Sequence, residues 1–339
     1  MKILIRGTNW VGDAIMALPA LRAVRARFPD AEITILAKSY IAAIYEHQNL
    51  SDKLLPLERG GKLIGELRAQ QYDSALLLQN AFQAAWIAWR AGIPERIGYA
   101  RDGRSILLTK AVRVPRAGEI PAHEQFYYLE LLRRAGWADG LAGEKHIALS
   151  VSEDNRRRAA EFLAAAGARP GKLRIAVGAG ASYGSAKCWP PDRFAELSNR
   201  LRAASDADVI LFGTAAEAPV SAAIVAGMRH APIDLTGKTS IADLPALLSE
   251  CHVFIGNDSG AMHVAAAVGL PVVAIFGPTD PFGTAPVTTR LSIVQEKPYC
   301  SPCFLRRCPT DHRCMRAVPP AAVEAAANRW ISAAESRPA

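Results

Sequence analysis

Short runs of β-branched and other apolar residues alternate with amphipathic stretches along this chain, in two successive series. That alternation confines the fold to α/β, with parallel sheets covered on both faces by helices. In the first series strands are predicted at Lys2 to Arg6, Glu32 to Ala37, Lys53 to Leu57, Ser74 to Leu78 and Arg96 to Tyr99, with a first helix over Asp13 to Arg27. The second series follows a charged helix at Glu153 to Ala166 and the turn Gly167-Ala168-Arg169-Pro170-Gly171. Its strands are predicted at Leu173 to Val177, Asp208 to Phe212, Val253 to Ile255 and Val272 to Phe276. Helices are expected at Pro191 to Ala204, Ile241 to Glu250 and Gly260 to Val268, and another at Pro319 to Ala334. The expectation is two Rossmann-like, doubly wound parallel-sheet domains, residues 1–168 and 169–339. Ligands bind outside the carboxyl ends of such strands, so two facing halves would place a site in the cleft between them.

The 339 residues suffice for two cores, and 50% hydrophobic with 21% charged residues is a globular balance. No apolar run approaches the roughly 18 to 20 residues needed to span a bilayer, and charge and glycine interrupt the start, MKILIRGTNWVGDAIM. A cytoplasmic location is expected. The formal charge of +8 favours an anionic partner, although an Arg- and Ala-rich composition gives the same balance. With no Lys/Arg block or basic–aromatic repeat, no nucleic-acid partner is expected.

The first loop, Gly7-Thr8-Asn9-Trp10-Val11-Gly12-Asp13-Ala14, has the glycine spacing of a phosphate-binding P-loop but ends in Asp-Ala where that motif needs Lys and Ser or Thr. An acid there repels phosphate. Spacing alone favours Asp13 as the N-cap of its helix. The functional alternative is a carboxylate that takes a proton from an acceptor hydroxyl.

After the strand Leu173 to Val177, the loop Gly178-Ala179-Gly180-Ala181-Ser182-Tyr183-Gly184 superficially resembles a dinucleotide fingerprint, which makes an oxidoreductase the rival reading. The fingerprint should open a helix directly and be followed by an acid on the next strand end. Here the loop continues through Lys187-Cys188-Trp189-Pro190, and the next strand ends Leu211-Phe212-Gly213. The glycines then serve to let backbone N–H groups approach phosphate, with Lys187 as a point charge on a leaving diphosphate. A solvated surface amine is the commoner fate of a lone Lys.

The third segment, Gly256-Asn257-Asp258-Ser259-Gly260-Ala261-Met262-His263, joins a buried strand to an Ala-rich helix and aims several N–H groups at one place, a ready anion site. Asp258 beside phosphate implies sugar or ribose hydroxyls as its partners, or a capping role. His263 either donates to a phosphate oxygen or is a structural histidine held by a neighbouring carbonyl.

Taken together, Arg6 to Asp13, Tyr183 to Pro190, Leu235 to Ser240, Gly256 to His263 and Phe276-Gly277-Pro278-Thr279-Asp280-Pro281 resemble the ADP-heptose:lipopolysaccharide heptosyltransferases of glycosyltransferase family 9, over nearly the whole length. The resemblance implies a GT-B-type, inverting, metal-independent enzyme without a cofactor. Its reaction would move L-glycero-D-manno-heptose from ADP-heptose to the first heptose of the lipopolysaccharide inner core. It further implies Asp13 as general base, Ser182 and Lys187 as diphosphate contacts and Glu217 as a ribose-binding acid. Asp258, Ser259, Gly260 and His263 would hold the donor heptose and phosphate, and Lys238, Thr239 and Ser240 would lie near adenine. Cys188 stands where related sequences often carry Arg, and Ala261 where they often carry Leu. Addition of the first heptose, or transfer from another nucleotide-sugar, stays open within the family. A non-catalytic carbohydrate-binding protein is the alternative of another class.

Cys300, Cys303, Cys308 and Cys314, with His312 nearby, cluster at intervals too uneven for a standard zinc finger. A structural role is expected, with zinc, pairing and free thiols all open. The implied partner is a lipid-anchored, anionic heptosyl-Kdo core acceptor, reached by peripheral contact with the inner membrane face. Arg96, Arg101 and Arg104 are candidates for its acidic groups.

Overall fold

The computed structural model describes residues 1–57 and 61–335. The chain divides into two compact units, Met1–Ile147 and Ala148–Ala339. This boundary falls earlier than the predicted 168/169, because the helix Glu153–Ala165 packs on Leu244–Ser249 of the second unit. Ser152 caps that helix, its Oγ accepting the Asn155 N–H at 3.2 Å, with Glu153 and Asp154 in the first turn.

In the first unit β1 (Lys2–Arg6), β2 (Glu32–Ala37), β3 (Lys53–Pro56), β4 (Ser74–Leu77), β5 (Glu95–Tyr99) and β6 (Lys110–Val112) form one parallel sheet, in the order β3-β2-β1-β4-β5-β6. The inner strands are buried on both faces, as β1 (Ile3, Leu4, Ile5) and β4 (Ala75, Leu76, Leu77) show, which is why they read as continuous apolar runs rather than alternating ones. The order reverses between β1 and β4. The loops that begin at Gly7 and at Leu78 therefore leave neighbouring strand ends at the topological switch point.

The second unit repeats the plan with β7 (Arg174–Gly178), β8 (Asp208–Phe212), β9 (Ile233–Asp234), β10 (Val253–Asn257), β11 (Val272–Phe276) and β12 (Leu291–Gln295), ordered β12-β11-β10-β7-β8-β9. Its switch point lies between β7 and β10. The core combines β7, β8, β10 and β11 with Phe194, Leu197 and Leu201 of the helix Pro191–Ser205 and Val323, Ala327 and Ile331 of the helix Pro320–Glu335.

Three strands escape a sequence reading, and all are edges. The strand β6 has three residues and β9 two, too short for a period. The strand β12 has no buried residue and exposes Ile293, so it lacks the buried apolar run of its neighbours. The helix expected over Asp13 to Arg27 is two, Val11–Met16 and Leu18–Arg27, broken at Ala17 because Pro19 supplies no N–H for the ladder.

Candidate functional site

At the switch point of the second sheet the buried Asn257 ends β10 and ties it to the loop after β7. Its Nδ2 donates to the Ala179 carbonyl at 2.6 Å and its Oδ1 accepts the Trp189 N–H at 3.0 Å. Trp189 is fully buried, and its indole N–H donates to the Val318 carbonyl at 3.1 Å. Neither residue has a role on the sequence reading; a polar side chain closing a buried strand is the signal that marks Asn257.

This anchoring brings Lys187 and Asp258 together. The Lys187 ammonium donates to Asp258 Oδ2 at 2.5 Å, and the Thr279 hydroxyl donates to the same oxygen at 2.7 Å. The two side chains are only 12% and 5% exposed, so Lys187 is no solvated surface amine, and Asp258 has a cation beside it. Lys187 also stands 4.7 Å from the centre of the Tyr183 ring, with the Arg306 guanidinium 5.2 Å from the same ring.

Ser259 is the N-cap of the helix Gly260–Ala267, but its hydroxyl caps nothing. Its Oγ is buried and has no hydrogen-bond partner in the protein. An orphaned hydroxyl among the first N–H groups of a helix costs free energy unless a ligand answers it. Gly260 opens that helix, and His263 lies buried one turn in.

Glu217 closes a capping box, its Oε2 accepting from the Thr214 N–H at 2.6 Å and the Thr214 hydroxyl at 3.0 Å. Its carboxylate rests on Gly180 so closely that a Cβ there would lie 1.7 Å from Glu217 Oε1. Gly180 therefore makes room for Glu217. A pocket lined by Gly180, Phe212, Gly213, Glu217 and Thr236 opens at this edge. Burial first, and the Glu217 charge second, push the Cys188 thiol up. Ser182 is exposed in the same loop. Farther along, Lys238 donates to the Asp234 carbonyl at 2.8 Å, Thr239 follows it, and the Ser240 hydroxyl donates to Asp243 Oδ2 at 2.6 Å, all beyond the end of β9.

The cysteine-rich segment braces these loops. Ser301 Oγ donates to the Gly277 carbonyl at 2.6 Å, the Phe304 carbonyl accepts from the Tyr183 hydroxyl at 2.7 Å, and the Arg306 carbonyl accepts from the Ala186 N–H at 3.1 Å. His312 Nε2 lies 2.7 Å from the Ala186 carbonyl. All six cysteines are free thiols, and burial followed by the fields of Cys300, Cys303 and Cys308 raises Cys314. Among the described residues no group of three or more His, Cys, Asp or Glu is placed to hold a metal ion.

In the first unit Trp10 is the N-cap of Val11–Met16, so Asp13 sits in the first helical turn, where the dipole favours its charge, and is not the cap. The loop before it is held by the buried Arg6, whose guanidinium donates to the Gly7 carbonyl and, at 2.8 Å, to Asn9 Oδ1. The Tyr40 hydroxyl donates to the Asn9 carbonyl at 2.7 Å. Burial pushes the Glu124 carboxyl up to about 7, the Asp13 charge adding to the shift and Arg101 opposing it. Burial likewise raises Tyr45 and Tyr128, with the Asp13 charge adding to each shift. Glu124, at the start of the helix Glu124–Ala135, was not singled out in the sequence; an acid just inside a helix reads as ordinary dipole pairing.

Two of the three arginines proposed for an acceptor are committed elsewhere. Arg104 is 0% exposed and donates to the Tyr99 carbonyl at 2.9 Å, the Gln79 carbonyl and Asn80 Oδ1; burial lowers its pKa to about 10. Arg96 is spent on the carbonyls of Ile93, Pro94 and, at 2.7 Å, Leu107. Arg101 alone presents an exposed side chain, 3.6 Å from Asp102.

Two parallel sheets of this order, with polar loops gathered at the strand ends of each switch point, define a doubly wound class whose members bind ligands there. The comparisons narrow it. The sequence matches Glycosyltransferase family 9 (heptosyltransferase) over residues 61–313. It is 31% identical over 322 residues to lipopolysaccharide heptosyltransferase 2 of Escherichia coli K12, and 32% identical over 312 residues to that of Salmonella typhimurium LT2. Each match covers 87% of this chain and 88% of the relative. The structure of the E. coli ADP-heptose lps heptosyltransferase II superposes with a TM-score of 0.84 at 28% identity, covering 99% of this chain and 100% of that one. The chain belongs to glycosyltransferase family 9, the heptosyltransferases, and has their GT-B-type fold. It is therefore an enzyme, which removes both the oxidoreductase and the non-catalytic alternatives. Among the described residues no helix is long and apolar enough to cross a membrane.

Proposed function

We propose that the enzyme transfers L-glycero-D-manno-heptose from ADP-heptose to the first heptose of a lipid-anchored lipopolysaccharide inner core. The relatives named heptosyltransferase 2 support the sugar and the step. The observation that carries the donor assignment is the orphaned Ser259 hydroxyl at the N-terminus of Gly260–Ala267, beside the Lys187–Asp258 pair. A diphosphate placed there accepts from Ser259 and from the first N–H groups of that helix, and shares Lys187 with Asp258. In the adjoining pocket Glu217 takes the ribose, with Lys238 to Ser240 on the adenine side and Ser182 reaching the phosphates.

Transfer with inversion needs one base on the acceptor and positive charge on the leaving group. The acceptor oxygen attacks the anomeric carbon as the bond from that carbon to the β-phosphate oxygen breaks. The hydroxyl proton passes to Asp13, and ADP leaves with the electron pair against Lys187 and the helix N-terminus. Asp13 suits the part because it is a carboxylate in a first helical turn, where the dipole favours its charged form. Arg101 and peripheral contact with an anionic bilayer would serve the acceptor, in a cytoplasmic setting.

The test is a transfer assay with ADP-heptose and acceptors carrying zero or one core heptose. Product from the one-heptose acceptor alone is expected; product from the heptose-free acceptor would reassign the step to first-heptose addition. Asp13→Asn should keep ADP-heptose affinity within about twofold and lower turnover by about 10³ or more. Unchanged turnover would remove Asp13 as the base.

A further inference from the structure

The helix Phe82–Arg90 turns its aromatic residues away from the core. Ala85, Ile87 and Ala88 pack inward against Leu4, Leu36, Ala75 and Leu77. Its outward residues are Phe82, Gln83, Trp86, Trp89 and Arg90, with the three rings between 37% and 47% exposed. At about 100° per residue, positions 82, 86 and 89 fall within roughly 60° of one another, so the rings form one stripe bordered on one side by Gln83 and Arg90. The turn Arg104–Leu107 packs on this helix and adds Ile106, 85% exposed. Singly exposed apolar residues are ordinary, but three on one helical stripe, with a fourth on the turn packed against that helix, are not.

The charge around this patch is mainly positive. The Arg90 guanidinium lies 5.9 Å from the centre of the Trp86 ring, and exposed Arg68 donates to the Arg90 carbonyl at 2.7 Å. Arg101, just before the turn, is exposed, with Asp102 offsetting part of its charge.

We propose that this face is a membrane-contact surface. Phe82, Trp86, Trp89 and Ile106 enter the boundary between headgroups and acyl chains, and Arg68, Arg90 and Arg101 meet anionic lipid phosphates. Tryptophan is the ring that prefers this boundary, being apolar in body with one N–H to solvate, and flanking arginines add attraction to an anionic leaflet. A second copy of the chain fits less well. A two-fold contact through the patch would set the arginines of one copy against those of the other, a like-charge cost that an anionic leaflet reverses. The helix follows the carboxyl end of β4, the sheet edge that also carries Asp13. A bilayer on this face would hold the acceptor-side loops near the plane from which a lipid-anchored sugar rises. That last consequence rests on the proposed function; the membrane contact itself does not.

The experiment is flotation of the full chain with phosphatidylcholine vesicles containing about 30% phosphatidylglycerol. The wild type should float with them and lose binding as salt rises. The F82S/W86S/W89S variant should lose about tenfold or more in bound fraction while keeping its Tm and its transfer rate on an acceptor stripped of acyl chains. If the triple variant does not fold, Trp89→Ser alone should lower binding severalfold. The proposal is overturned if the wild type stays unbound, if folded variants float as the wild type does, or if the wild type sediments as a dimer that the substitutions dissociate. A protein that floats but transfers no heptose would overturn the proposed function and leave this surface standing.

Discussion

Lys187 and Thr279 donate to one and the same oxygen, Oδ2 of Asp258, at 2.5 and 2.7 Å, so a single carboxylate atom fastens the loop after β7 to the loop after β11 across β10. The pair is nearly dry. Removing one member leaves the other without its counter-charge, which costs more than the pair itself contributes.

Lys187→Met should accordingly lower stability by about 2 to 4 kcal/mol, since it strands Asp258 with a neutral partner. Adding Asp258→Asn to that variant should restore much of the loss in a thermal melt while transfer stays impaired. A single variant that melts with the wild type would mean that the pair is solvated in solution.

Gly180→Ala places a methyl where Glu217 Oε1 now lies, and the displaced carboxylate must release the Thr214 N–H and hydroxyl. A loss of about 1 to 3 kcal/mol is expected, combining overpacking with a lost cap. Glu217→Ala vacates the space, so the double variant should be no less stable than Glu217→Ala alone. Strict additivity in that cycle would contradict the contact.

Glu124 sets a pH dependence of stability. Its folded carboxyl sits near 7, against an ordinary value of 4.5, with burial as the main cause and Asp13 the second. The folded state thus holds a proton that the unfolded chain releases. The group's contribution is complete below about pH 4.5 and is lost as pH climbs through 7. Glu124→Gln should flatten the fall in stability between pH 5 and 8, an effect of up to about 3 kcal/mol. Denaturant titrations across that range, with unchanged slopes for the variant and the wild type, would refute it.

The inner strands were legible because burial on both faces leaves an unbroken apolar run, as in Val272 to Phe276. The edges β6, β9 and β12 were not, since their order comes from a neighbour's backbone rather than from their own pattern. Asp258 to His263 could be placed from the strand-to-helix join alone. The partnership of Lys187 with Asp258 spans 71 positions in sequence and depends on Asn257 and Trp189 to fold the intervening loop back. Arg101 and Arg104 are three residues apart and chemically identical, yet one meets solvent while the other is sealed beneath Tyr99 and Gln79. Composition carries no trace of that difference. Glu124 escaped for a related reason: its elevation comes first from burial and second from Asp13, which lies far from it along the chain.

Both sheets run in the same order about their own switch points, and each is built around its own buried strands. Inheritance can therefore act on the two halves separately. On the proposed function, changes around Trp10 and Tyr40 can retune which glycan is received without disturbing the packing behind Ser259, and changes near Glu217 can retune the nucleotide without touching Asp13. A lineage that keeps one chemical step while its surface polysaccharide drifts has, in this architecture, a place for the drift to occur.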